Sequence, residues 1–82
     1  MFKGVLRKPP WEKTLYQYEG GDEALVYFVT DNPDEWIFCT TKYDEHLAEL
    51  QEGRHYLVSG VVYHFESEGK LFLTRCSIRK AD

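Results

Sequence analysis

Residues 24–42, ALVYFVTDNPDEWIFCTTK, decide the fold. Two runs rich in Val, Ile, Tyr, Phe, Trp and Thr flank Asp31-Asn32-Pro33-Asp34, where every position is a turn former. β-branched and aromatic side chains fit the pleated, half-buried surface of a sheet, so the stretch reads as two strands, Ala24 to Thr30 and Glu35 to Lys42, joined as a hairpin. A four-residue loop over 31–34 pairs Thr30 with Glu35, Phe28 with Ile37 and Val26 with Cys39. Side chains alternate along a strand and directly paired residues share a face. One face therefore carries Val26, Phe28, Ile37 and Cys39, and the other carries Leu25, Tyr27, Val29, Trp36, Phe38, Thr40 and Lys42. The first set is compact and has no polar tip, so it reads as core. The second is aromatic, mixed and ends in a lysine, so it reads as the outer face. A slip of one residue would exchange the two.

Outward from the hairpin, Glu19-Gly20-Gly21-Asp22 and Glu66-Ser67-Glu68-Gly69-Lys70 are further turn signals. They delimit three more strands. The first lies within Phe2 to Tyr18 and is interrupted or bulged at Pro9-Pro10, because proline has no N–H for a ladder. The fourth spans about His55 to Glu66 and the fifth about Leu71 to Arg79. One short helix fits between the third and fourth strands, with Asp44 as N-cap, Leu47 and Leu50 as an i, i+3 apolar pair, and Gly53 as the stop. The chain of 82 residues has room for one domain, and 43% hydrophobic with 16% aromatic content is too apolar for a disordered chain. The expectation is a single all-β domain over residues 1–82.

The order β-β-β-α-β-β resembles the oligonucleotide/oligosaccharide-binding (OB) superfamily, a five-stranded Greek-key barrel with a helix between strands three and four. Leu50-x-x-Gly53-x-x-Tyr56-x-Val58-x-Gly60 looks like the helix-to-strand-four passage of many OB domains. Val29-Thr30-Asp31 followed by Trp36-Ile37 resembles the hairpin of the replication protein A and aminoacyl-tRNA-synthetase anticodon-binding types. The likeness covers almost the whole chain. It implies that the outer face of strands two and three binds oligonucleotide. Tyr27, Trp36 and Phe38 are then candidate stacking platforms, each worth roughly 1–3 kcal/mol per base. Lys42 would meet phosphate. The acidic balance and the Pro9-Pro10 interruption depart from the pattern.

On the fifth strand, Phe72, Thr74, Cys76 and Ile78 read as inward and Leu71, Leu73, Arg75, Ser77 and Arg79 as outward, which offers Arg75 and Arg79 to phosphate or base. The fourth strand has two readings. Tyr56, Val58 and Val62 point inward around Gly60, or Leu57, Val61, Tyr63 and Phe65 do. A bulge at Gly60 reconciles the two. Otherwise the strand leaves a second apolar patch for a partner, such as a second copy of the chain. Trp11 reads as a cap on the open end of the barrel, with a ligand-reaching loop aromatic as the other choice.

The net charge of -4 is unfavourable for binding phosphates, but the charges are segregated. Lys3, Arg7, Lys8 and Lys13 cluster near the start, and Lys70, Arg75, Arg79 and Lys80 near the end. The acids Asp31, Asp34, Glu35, Asp44, Glu45, Glu49 and Glu52 occupy the middle. Ends lying side by side would make a basic stripe. Cys39 and Cys76 read as reduced, buried thiols that come close across strands three and five. His46, His55 and His64 lack metal-ligand spacing, so no metal and no cofactor is expected. No nucleophile stands with a base and an oxyanion hole, and Gly20-Gly21 is a turn, not a phosphate loop; no catalysis is expected. The start lacks an apolar leader core and no run spans a bilayer, so the expectation is a cytoplasmic protein without membrane partners.

The leading functional expectation is a non-catalytic module for single-stranded DNA or RNA, with Tyr27, Trp36 and Phe38 stacking and Lys3, Arg7, Lys42, Lys70, Arg75 and Arg79 neutralising the backbone. The alternative is a protein–protein adaptor on the same fold, such as a phage or mobile-element accessory protein acting on a host replication or nuclease factor, or a homodimer through an apolar strand face. An oligosaccharide binder ranks last.

Overall fold

A computed structural model describes residues 1–66 and 69–81. Ser67 and Glu68 of the third turn signal lie outside the described residues. The strands are β1 (Phe2–Leu6), β2 (Tyr16–Gly20), β3 (Glu23–Val29), β4 (Trp36–Lys42), β5 (His55–Glu66) and β6 (Lys70–Lys80). The first expected strand is split in two. Pro9 and Pro10 cannot donate to a ladder, and a turn closes there with the Glu12 N–H donating to the Pro9 carbonyl at 3.0 Å. The β2–β3 hairpin turns at Gly20 and Gly21, with φ of +110° and +61°, conformations that cost glycine little.

The strands form one sheet in the order β1-β5-β6-β4-β3-β2, and β1 also pairs with β3, which closes the sheet into a ring. Closure is uneven: β1 meets β3 through only Val5↔Val29 and Leu6↔Phe28. β4 and β6 run parallel and the other pairings are antiparallel. The β3–β4 register is the one the sequence dictates, with Val26↔Cys39, Phe28↔Ile37 and Tyr27↔Phe38.

Inside the ring, Leu6, Val26, Phe28, Cys39, Val58 and Leu73 are wholly excluded from water. Full burial of a Val, Leu or Phe side chain contributes about 1.5–3 kcal/mol, so this set is the main source of stability. Between β4 and β5 the helical element is a single 3₁₀ stretch, Glu45–Glu49, instead of an α-helix. The Asp44 carboxylate accepts from the His46 N–H at 2.9 Å and caps it. Leu47 and Leu50 plug that end of the ring, and the Tyr56 hydroxyl accepts from the Gln51 N–H at 2.9 Å.

Two bulges correct the expected faces of the last strands. Between Ser59↔Ser77 and Val61↔Thr74, β6 carries one residue more than β5. The extra residue falls at Arg75, whose φ is +54°. The bulge reverses the alternation, so Cys76 and Ile78 turn inward as expected, but so do Leu71 and Leu73, while Phe72 and Thr74 face outward. Gly60 faces the bulge. A Cβ there would stand 2.9 Å from the Thr74 carbonyl oxygen and 3.1 Å from Cys76 Sγ. Between Val62↔Leu73 and His64↔Phe72 the extra residue is Tyr63 on β5. Tyr56 and Val58 point into the core, whereas Val61, Val62, Tyr63 and Phe65 are all exposed.

Candidate functional site

The outer face of β3, β4 and β6 is aromatic. Its central row is Tyr27, Phe38 and Phe72, which are cross-strand neighbours. Tyr27 and Phe38 meet edge to face at 5.4 Å between centroids, and Phe38 and Phe72 at 4.6 Å. Such pairs add about 0.5–1.5 kcal/mol each beyond area burial. The next row is Val29, Trp36 and Lys70.

The face looks away from the core as the sequence requires, but its rings are not equally open. Tyr27 is 3% and Phe38 7% exposed, so neither presents a free ring face, and both lose the role of stacking platform assigned to them. Trp36 is half-buried. The cover is Trp11. It does not cap the ring's end; the Pro9–Glu12 turn lays it across the outer face, 5.6 Å from Trp36 and 6.4 Å from Tyr27, leaving it 58% exposed.

Glu12 locks this arrangement. The Tyr27 hydroxyl donates to Glu12 Oε1 at 3.2 Å, and Lys8 Nζ donates to the Glu12 carbonyl at 2.7 Å. Burial, then the Glu12 charge and its hydrogen bond, push the Tyr27 phenol up to about 12, with Glu19 adding in the same direction. Tyr27 is thus a buried structural donor beneath Trp11.

At the far end of the face β4 and β6 part company. Their parallel pairing stops at Cys39↔Leu73, where the Arg75 bulge swings β6 away. The gap is a shallow depression of about 310 Å³ lined by Thr40, Thr41, Lys42, Arg75 and Cys76 on one side and Asp22 and Glu23 on the other. Lys42 and Arg75, assigned to phosphate from sequence, come together here, with two carboxylates beside them. Thr41 Oγ1 donates to the Cys76 carbonyl at 3.1 Å and ties the strands below the gap. Burial, then contact with Cys76, pushes the Cys39 thiol far up, so Cys39 stays a protonated core residue that meets Cys76 across the strands.

Of the other cations assigned to phosphate from sequence, Lys3, Arg7 and Arg79 do not join this face. Lys3, Leu57 and Arg79 share a row across β1, β5 and β6 on a different side of the ring. There Arg79 Nη2 lies 3.7 Å from Met1 Sδ, so the two chain ends do meet, but away from the aromatics. Arg7 lies beside Gly53. Lys70 is the exception: it is the cross-strand neighbour of Trp36. Sequence reasoning prefers Trp11 as a cap; the other choice, a loop aromatic, is the one that accords with its place on the outer face. Its one signal was position, directly after Pro9-Pro10 in the segment leading to β2.

Among the described residues, no cluster of three or more His, Cys, Asp or Glu side chains is arranged to hold a metal ion, and no helix is long and apolar enough to cross a membrane. No family model, curated protein or solved structure matches the chain.

Proposed function

We propose that this chain is an OB-type domain that binds single-stranded DNA or RNA, without catalysis, along the outer face of β3, β4 and β6. The ring order, the parallel β4–β6 contact and the capped 3₁₀ stretch between β4 and β5 support the OB reading. The observation that carries the functional reading is the half-open pair Trp11–Trp36 lying on the same face as the Lys42–Arg75 depression. Bases stack on Trp11 and Trp36, and the half-buried Phe72 continues the apolar floor. Lys70 receives backbone phosphate at one end, and Lys42 and Arg75 at the other. From Trp36 to Lys42 is six residue-to-residue steps along the seven-residue β4, about 20 Å at roughly 3.3 Å per step. That length suits about four nucleotides, the low end of site sizes for this fold. Cytoplasmic residence accords with the free thiols of Cys39 and Cys76.

Tryptophan fluorescence during titration with oligo-dT and with an RNA homopolymer, at low and moderate salt, tests the proposal. Quenching is expected to saturate, to weaken as salt rises, and to lose about 5- to 150-fold in affinity in Trp36→Ala, the equivalent of about 1–3 kcal/mol. Absence of quenching at tens of micromolar protein in low salt refutes it.

A further inference from the structure

We infer that the free edge of β5 is the surface through which two copies of this chain associate, by antiparallel pairing of residues 61–66. This goes beyond the nucleic-acid reading and rests on the edge of β5, whose Tyr63 and His64 rings adjoin Phe72 at 6.0 and 5.3 Å on the border of the aromatic face. β1 pairs with β5 only from His55 to Val58, so beyond Val58 the strand has β6 on one side and, among the described residues, no strand on the other. An unpaired edge offers a row of N–H and C=O groups to another strand. Natural edges are blunted with Lys, Pro, charge or a bulge; residues 55–65, HYLVSGVVYHF, carry no Lys, Arg, Asp, Glu or Pro, and their one such device is the bulge at Tyr63. Instead, Val61, Val62, Tyr63 and Phe65 are 52–66% exposed, half of the large exposed apolar residues among those described, gathered in five positions.

The area fits a second copy. Taking about 150–250 Å² for each full side chain, these four leave roughly 400 Å² per copy in water. Two copies remove at most roughly 800 Å² from these side chains, the figure for their complete burial. The strand backbone and the exposed His64 beside them bring the contact near the 1,200 Å² of the smaller stable interfaces. The charge also fits. Two chains of net charge -4 repel each other over most of their surface, and the uncharged stretch between Arg54 and Glu66 is where they approach without like charges meeting. A two-fold contact is self-complementary, and directly paired residues share a face of the sheet. Val62 is opposite the inward Leu73, whereas the Tyr63 and His64 rings both lie against the outward Phe72, so the faces match when the axis falls between Tyr63 and His64. Tyr63 then faces His64 of the second copy, and Val62 faces its Phe65. Tyr63 has no opposite residue on β6, so the strand is strongly twisted there and side-chain packing provides more of the contact than ladder length.

Sedimentation velocity over the micromolar to millimolar range tests the pairing. The expected result is a concentration-dependent shift from 9.7 kDa to twice that mass. Val62→Lys and Phe65→Glu, both at exposed positions, should each weaken association about tenfold or more, because each sets an unpaired charge against an apolar side chain of the second copy. An equimolar mixture of the two variants should recover a dimer, because the lysine introduced in one chain then faces the glutamate introduced in the other. Wild-type protein that stays monomeric to millimolar concentration overturns the inference. So does a pair of variants that associate as the wild type does, or a mixture that fails to recover.

Discussion

Trp11→Ala tests whether the outer aromatic face is built in layers. Trp11 is 58% exposed, so about two-fifths of it rests on Tyr27, Trp36 and their neighbours. For a side chain of about 250 Å² that is roughly 100 Å², or about 2.5 kcal/mol at 25 cal/mol per Å². Compactness of the denatured chain and the surface alanine still covers reduce this to about 1.5–2 kcal/mol. In a domain of this size that lowers the midpoint of thermal unfolding by about 6–16 °C. A second readout comes from Tyr27. Its phenol is raised from 10.0 to about 12 chiefly by burial, so the folded state holds its proton longer than the unfolded state does. The stability tied to that proton is complete below pH 10 and is lost as pH rises through 10 toward about 12, by at most about 1.4 kcal/mol per pH unit. Removing the indole admits water, so in Trp11→Ala the Tyr27 phenolate should form at lower pH and the alkaline loss window should narrow from its upper end. Scanning calorimetry and tyrosinate absorbance, with Tyr27→Phe to assign the late phase, measure both. A stability change within about 0.5 kcal/mol, the range of an ordinary surface substitution, with Tyr27 still ionising near 12, refutes the layered face.

Three further outcomes are expected. Gly60→Ala should cost about 1–3 kcal/mol by denaturant unfolding, because the new Cβ meets backbone at the Thr74 carbonyl, which cannot step aside as a side-chain tip can. Arg75→Gly should be neutral or stabilising by up to about 1 kcal/mol, since relief of the left-handed backbone offsets the added freedom of the unfolded chain, while oligonucleotide affinity falls; a loss of stability above about 1 kcal/mol would show that the guanidinium itself holds the bulge. Leu6→Ala should cost about 2–5 kcal/mol, because Leu6 is fully buried at the narrow β1–β3 closure, and amide exchange should show β1 opening first.

The parts of the molecule legible in the sequence are those fixed by short-range geometry. The 31–34 loop sets the hairpin register, the register sets the faces, and Val26, Phe28, Ile37 and Cys39 are buried as that chain of steps requires. Asp44, Leu47 and Leu50 likewise mark the capped turn that plugs the ring, although five residues make only a 3₁₀ stretch. What stands over the outer face was not legible, because it depends on where the long connection from β1 to β2 lands. Nothing local to Pro9-Pro10-Trp11 says that its turn lies over Tyr27. The β6 register was hidden for a different reason. A residue in the left-handed region is usually glycine, and here it is Arg75. The visible mark was on the opposite strand, where Gly60 is needed to let the bulge in. Reading Gly60 as the bulged residue found the right place and the wrong strand.

That bulge links the core to the candidate site. With an unbroken β6, Leu73 and Cys76 would fall on opposite faces, and either the core would lose one of them or Phe72 would be drawn inward from the aromatic row. The extra residue lets Leu73, Cys76 and Ile78 all serve the core, and the same displacement ends the parallel pairing with β4 at Cys39↔Leu73. The gap that opens sets Arg75 beside Lys42, on the face where Phe72 already adjoins Phe38. Burial demands on one side of the sheet thus create the cationic end of the face on the other. A change that straightens β6 should therefore damage ligand binding and core packing together, whereas a change at Lys42 should affect binding alone.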